Sequence, residues 1–212
     1  EVQLRYGEDH AKEAAPGLDS AVQLLARVLE AERDHRRALR EMGLVLLGKA
    51  RLHLGHKQGL NDPAKALELR KQAHARYERL LGLEPDNRQY ASDFAKASAM
   101  YADLLQDVGP AEQAIALKQR ALGVVAQLVA DDPADVASRR TLAALKSDLG
   151  HSLSKNGRFD EGIALSSAAI EDLQQLLKTD TPNVNDRINL ALAEFDLGKA
   201  KRARDRNAKP AT

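Results

Sequence analysis

Cysteine is absent from the chain. That removes disulfide frameworks, thiolate nucleophiles and cysteine-based zinc sites, and it fits a cytoplasmic protein. Tryptophan is also missing, and aromatics make up only 3% of residues. Ala and Leu carry the apolar content instead, which favours closely packed helices over a sheet-based core. No apolar run reaches the ~18 residues of a membrane span, and no N-terminal signal pattern is present. Charge of either sign is not in excess: 32 basic residues face 31 acidic ones, a net charge of +1. No global field therefore points to nucleic acid or membrane. The sequence contains no Walker loop, no Gly-x-Gly-x-x-Gly, no His-Glu-x-x-His and no Gly-x-Ser-x-Gly, so no enzyme class is indicated. No alternating polar and apolar run of strand type stands out. The first residue is Glu1, not Met, so the chain is expected to be a piece of a longer protein.

What is present is periodic. Pro16, Pro63 and Pro110 lie 47 apart, and Pro85, Pro133 and Pro182 lie 48 and 49 apart. Proline is tolerated mainly in the first turn of a helix, where its missing N–H costs nothing. Asp62, Gly109, Asp132 and Thr181 precede four of these prolines as caps or breakers. The spacing predicts helices over roughly 16–33, 36–57, 63–83, 86–108, 110–131, 134–156, 158–178 and 183–206, an all-α chain. Short connections make sequential helices antiparallel neighbours.

A shift of 48 residues tests the period. Ala66 falls on Ala114 and Gly162, Ala73 on Ala121 and Ala169, and Leu80 on Leu128 and Leu176. Tyr101-Ala102 falls on Leu149-Gly150 and Leu197-Gly198, and Gly109 on Gly157. Such a period is the signature of a solenoid. The best copy is Asp148 to Ile170: Leu149-Gly150, Leu153, Gly157, Phe159, Gly162 and Ala169. In this pattern Gly150, Gly162 and Ala169 are packing contacts between two helices, where a large side chain would overpack the crossing.

These residues resemble the tetratricopeptide (TPR) repeat: a large residue then a small one in the first helix, a turn, and two small residues seven apart in the second. The standard unit has about 34 residues, so ~14 more lengthen both helices here. The chain is similar to the long-helix arrays C-terminal to some bacterial serine/threonine kinases, and to those of kinesin light chains. The resemblance implies a right-handed α/α superhelix of about eight helices spanning 16–206. Its units would be 16–61, 62–109, 110–157 and 158–206, behind a weakly ordered lead-in at 1–15 and before a tail at 207–212. It implies a non-enzymatic scaffold or sensor module of a larger bacterial signalling protein, or alternatively a stand-alone peptide-binding regulator or chaperone-like protein. The expected partner is a protein or peptide. No cofactor, nucleic acid or membrane is expected, and self-association through the groove or a free end is open.

In that family the first helices of successive repeats line a concave groove. Carried over by spacing, the resemblance places Ala144, Ser147, His151, Ser154 and Lys155 there, with Lys96, Ala99, Asp103, Gln106 and Asp107 one repeat earlier. Lys49, Leu52 and His56 come from the first copy, and Leu192, Phe195, Lys199 and Arg202 from the last. The competing reading of this set is a solvated helix face.

Other constellations are weaker. His53 and His56 share a helix face but lack a third ligand, which suits a solvated pair. Glu32 and His35 form a single Glu-x-x-His, where a di-iron bundle needs two. The segment from Gly198 to Lys209 holds six basic residues and one acid. Cations at a helix C-terminus complement its dipole, and no aromatic is interleaved for base stacking. Polar Asp186, Arg187, Glu194 and Lys199 suit the last helix to a capping role.

Overall fold

The computed structural model describes residues 11–54, 60–179 and 183–208. All regular structure among them is helical: α1 (Ala11–Ala31), α2 (Arg36–Leu54), α3 (Pro63–Leu83), α4 (Arg88–Val108), α5 (Ala111–Asp131), α6 (Val136–Lys155), α7 (Phe159–Thr179) and α8 (Val184–Asn207). No described helix is long and apolar enough to cross a membrane. The chain divides into two compact units, Glu1–Leu104 and Leu105–Thr212, with the division inside α4.

In the first unit α2 packs on both α1 and α3. Met42, Leu46 and Ala50 of α2 meet Ala66, Leu69 and Ala73 of α3, with Leu104 of α4 and partly buried Val22, Leu25 and Leu29 of α1. The spacing of these residues is the 3- and 4-residue recurrence of one helix face. Tyr77 is fully buried, and its hydroxyl donates to the Arg40 carbonyl at 3.4 Å. Burial pushes its phenol well above the ordinary tyrosine range. The Arg40 guanidinium reaches from α2 to Asp93 of α4 at 2.6 Å.

In the second unit α5, α6, α7 and α8 pack in sequence, and α6 also touches α8. One cluster joins Ile115 to Leu149 and Leu153; another joins Ala143 to Leu173, Leu176 and Ala193. The small residues that the repeat places on its second helices are all buried: Ala66 and Ala73, Ala114 and Ala121, Gly162 and Ala169. At the α6–α7 crossing a Cβ on Gly150 would stand 2.8 Å from the Gly162 carbonyl oxygen. Two backbones approach there as only glycine permits.

The turns show where the period comes from. Asn87 accepts N–H bonds from Gln89 and Tyr90, Asp135 from Ala137 and Ser138, and Asn183 from Asn185. These N-caps of α4, α6 and α8 lie 48 apart. His35 caps α2 with its ring, Nδ1 accepting from the Ala38 N–H at 3.2 Å. The Glu32-x-x-His35 pair is thus a turn and a cap, closed by the His35 N–H on the Glu32 carbonyl.

Several boundaries differ from the sequence reading. α1 begins at Ala11, so Pro16 lies inside it and does not start it. Residues 1–10 of the expected lead-in, and 209–212 of the tail, fall outside the described residues. Asp62 does cap α3 at Lys65, with Pro63 in the first turn. Pro133, however, precedes the helix: Asp132 sits in the turn and Asp135 caps α6. Proline there stiffens the four-residue link, because its fixed φ suits a turn as well as a first helical position. The paired glycines of the repeat also separate. Gly157 ends α6 in the left-handed region at φ 81°, whereas Gly109 has no such conformation.

Candidate binding site between α6 and α8

Helices α6 and α8 are held side by side at one end by Arg140 and Asp186. Arg140 Nε donates to Asp186 Oδ2 at 2.7 Å, and the Asp186 side chain is only 3% exposed. This corrects the reading of Asp186 as part of a polar outer cap. A carboxylate in the first turn of α8 gains from the helix dipole and from the guanidinium together, which makes its burial tolerable. Arg187, Glu194 and Lys199 do stay exposed.

Two to three turns further on, the helices leave an open cavity of about 520 Å³. His151, Ser154 and Lys155 line it from α6, and Asp196, Lys199, Ala200, Arg202, Ala203 and Arg206 from α8. Four cations, Lys155, Lys199, Arg202 and Arg206, face the single carboxylate of Asp196 in this lining. His151 Nδ1 stands 3.2 Å from Asp196 Oδ2, and Lys199 Nζ lies 3.9 Å from the other oxygen. Lys155 is 3.3 Å from Asp107, whose side chain is 64% exposed. Exposed pairs of this kind contribute little to stability, and competing anions displace them readily. Such a cavity suits recognition of negative charge.

The structure brings His151, Ser154, Lys155, Lys199 and Arg202 of the expected groove set to one place. Ser154 contributes differently from expectation. Its hydroxyl is buried without a hydrogen-bond partner and lies against the Gly162 position, so it belongs to the α6–α7 crossing. Gln106 accepts from the Ser152 hydroxyl at 2.8 Å and is half-buried. Ser147 is half-buried on α6, and Phe195 is exposed on α8 with Lys199 Nζ 5.3 Å from its ring centre. Lys96 and Asp103 are exposed on the first unit. Leu52 is buried at 8% exposure and does not face a ligand, and half-buried Lys49 is engaged by Asp19 of α1. His56 lies outside the described residues.

Sequence reasoning missed Asp196 and Arg206. Both were within reach: Arg206 continues the row Lys199, Arg202 by one helical turn, and Asp196 precedes Lys199 by three residues. Among the described residues no group of three His, Cys, Asp or Glu side chains converges as a metal site would require. No protein-family model matches the chain, and no curated protein matches it significantly.

Proposed function

We propose that this chain is a non-enzymatic protein-interaction module, and that the α6–α8 cavity is where it takes hold of a partner. The observation that carries this is the cavity itself: four cations converge on an open space of about 520 Å³ against a single lining carboxylate. Charge of that kind steers and orients an acidic segment of another protein. The long helices and the 48-residue recurrence of caps support the likeness to TPR arrays, and with it a scaffold or sensor role within a larger bacterial signalling protein.

His151 beside Asp196 also forms two parts of a Ser-His-Asp arrangement. The serine bordering the same cavity has its hydroxyl buried against Gly162, away from any substrate, so the geometry favours binding over nucleophilic chemistry.

Immobilised protein should retain a partner from a lysate of its source cells, and the double variant His151→Glu, Lys155→Glu should lose it. Undiminished capture by a folded variant overturns this assignment of the site.

A further inference from the structure

α8 carries a second feature, which begins where the cavity ends. Val184, Ile188, Leu192 and Phe195 are 70%, 50%, 55% and 60% exposed. Their spacing of four, four and three places them on one face of the helix. Lys199, Arg202 and Arg206 continue the same spacing along the same face. The row is therefore apolar for its first three turns and cationic for its last two, over roughly 33 Å at 1.5 Å per residue. Lys199 joins the two parts, with its ammonium beside the Phe195 ring. Among the described residues neither Arg202 nor Arg206 is in an ion pair, although Arg204 between them engages Asp160 and Asp205.

The equivalent row on α6 shows that this is not the ordinary face of such a helix. A shift of 48 turns Ile188, Leu192, Phe195 and Lys199 into Arg140, Ala144, Ser147 and His151. On α4 the same positions hold Ser92, Lys96, Ala99 and Asp103. Beyond their first position, Val136 on α6 and Arg88 on α4, those two rows are polar or small, where the α8 row stays bulky and apolar through Phe195.

We propose that this face of α8 docks one amphipathic helix of a partner protein, apolar toward one end and acidic toward the other. Its apolar side chains, at i, i+3, i+4 and i+7, cover the stripe from Val184 to Phe195. Its carboxylates reach Lys199, Arg202 and Arg206 at the cavity mouth. Charge complementarity selects this occupant over a second copy of the chain. Two α8 helices placed antiparallel cover each other's apolar halves, but the row offers no exposed acid to the three cations. The proposal rests on the α6–α8 reading and extends it by naming the partner's chemistry.

The test uses the whole chain and three labelled helical peptides of about 24 residues, nearly seven turns. One carries a leucine row ending in four glutamates; in the second those glutamates are lysines; in the third the leucines are serines. Fluorescence anisotropy should show binding of the first that weakens with salt, and binding at least tenfold weaker for the other two. Leu192→Ser with Phe195→Ser, and separately Arg202→Glu with Arg206→Glu, should each weaken the first peptide at least tenfold. These side chains are exposed, so circular dichroism should show unchanged helicity. Equal affinity for the acidic and basic peptides, no binding of the first, or indifference to either double variant overturns the proposal. So does sedimentation showing a dimer that Phe195→Ser dissolves, since a second copy then covers the stripe. If partner capture depends on His151 and Lys155 but not on Leu192 and Phe195, the cavity assignment stands and the docked helix falls.

Discussion

Gly150 and Gly162 cross backbone to backbone: a Cβ on Gly162 would lie 2.6 Å from the Gly150 carbonyl oxygen, and one on Gly150 would lie 2.8 Å from that of Gly162. A serine hydroxyl stands nearer still in each case, Ser166 at Gly150 and Ser154 at Gly162, but behind it the obstacle is main chain, which cannot rotate aside. Gly162→Ala must push α6 and α7 apart, at a cost of about 3 kcal/mol. Gly123 provides the contrast. It lies within α5, is exposed, and nothing comes within 4 Å of a Cβ built there. Gly123→Ala should stabilise by roughly 0.5–1 kcal/mol through helix propensity alone. Urea unfolding of the two variants should move the midpoint in opposite directions; a shift of the same sign in both would refute the crossing.

The link between α5 and α6 holds two aspartates with unequal work. Asp135 accepts from two backbone N–H groups of α6 and from the Ser138 hydroxyl at 2.7 Å. Asp132 accepts from the Ala134 N–H within the turn. Asp135→Ala should cost about 1 kcal/mol or somewhat more as a lost cap, and Asp132→Ala distinctly less. Thermal unfolding of both variants decides the order, and an equal loss would show that the turn, not the cap, fixes the start of α6.

That pair also marks the limit of what the sequence discloses. Eight helices and their rough spans were legible because Ala/Leu-rich faces recur every three to four residues and prolines interrupt them. The packing role of Gly150, Gly162 and Ala169 was legible from the 48-residue shift. The start of α6 was not, because proline suits both a turn and a first helical position, and Asp132-Pro133 mimics Asp62-Pro63. Five residues of the candidate groove fell into one cavity because spacing along a helix carries over from one 48-residue copy to the next. The burial of Asp186 and Leu52 was hidden, since it depends on what the neighbouring helix presents. Which way the Ser154 hydroxyl points depends on the closeness of α7.

His53, at the end of α2, is half-buried, and its Nδ1 is buried without a hydrogen-bond partner. Burial is the main reason its pKa lies below the ordinary histidine value; Lys65 and Lys49 act in the same direction, while Asp62 and Asp19 oppose them. A base whose folded pKa is depressed binds fewer protons folded than unfolded. Its stabilising share is complete above the unfolded value of about 6.5 and is lost as pH falls through the folded one. His53→Gln cannot titrate, so the advantage of wild type over the variant should shrink between pH 7.5 and pH 5.5, values chosen to bracket the ~6.5 midpoint. Parallel melting curves at the two pH values check this, and a constant gap would refute it.

Arg140 and Asp186 hold α6 to α8 about three turns from the cavity, and their unequal exposure, 29% and 3%, sets the outcome of cutting the pair. Asp186→Ala removes a carboxylate satisfied by a guanidinium and placed at a helix N-terminus. A fully buried pair broken in this way costs about 3–5 kcal/mol; with Arg140 in partial contact with water, about 2 kcal/mol is expected. Arg140→Ala should cost no less, because it strands the more deeply buried partner. The double variant Arg140→Met, Asp186→Leu should recover most of the loss, since apolar side chains of similar volume avoid the desolvation of both charges. A double-mutant cycle from urea unfolding gives the coupling, expected at about 1–2 kcal/mol for residues in contact. Coupling near zero would mean that α8 is held by Leu173, Leu176 and Ala193 alone, and that the ion pair sets only the register in which Lys199 and Arg202 meet His151 and Lys155.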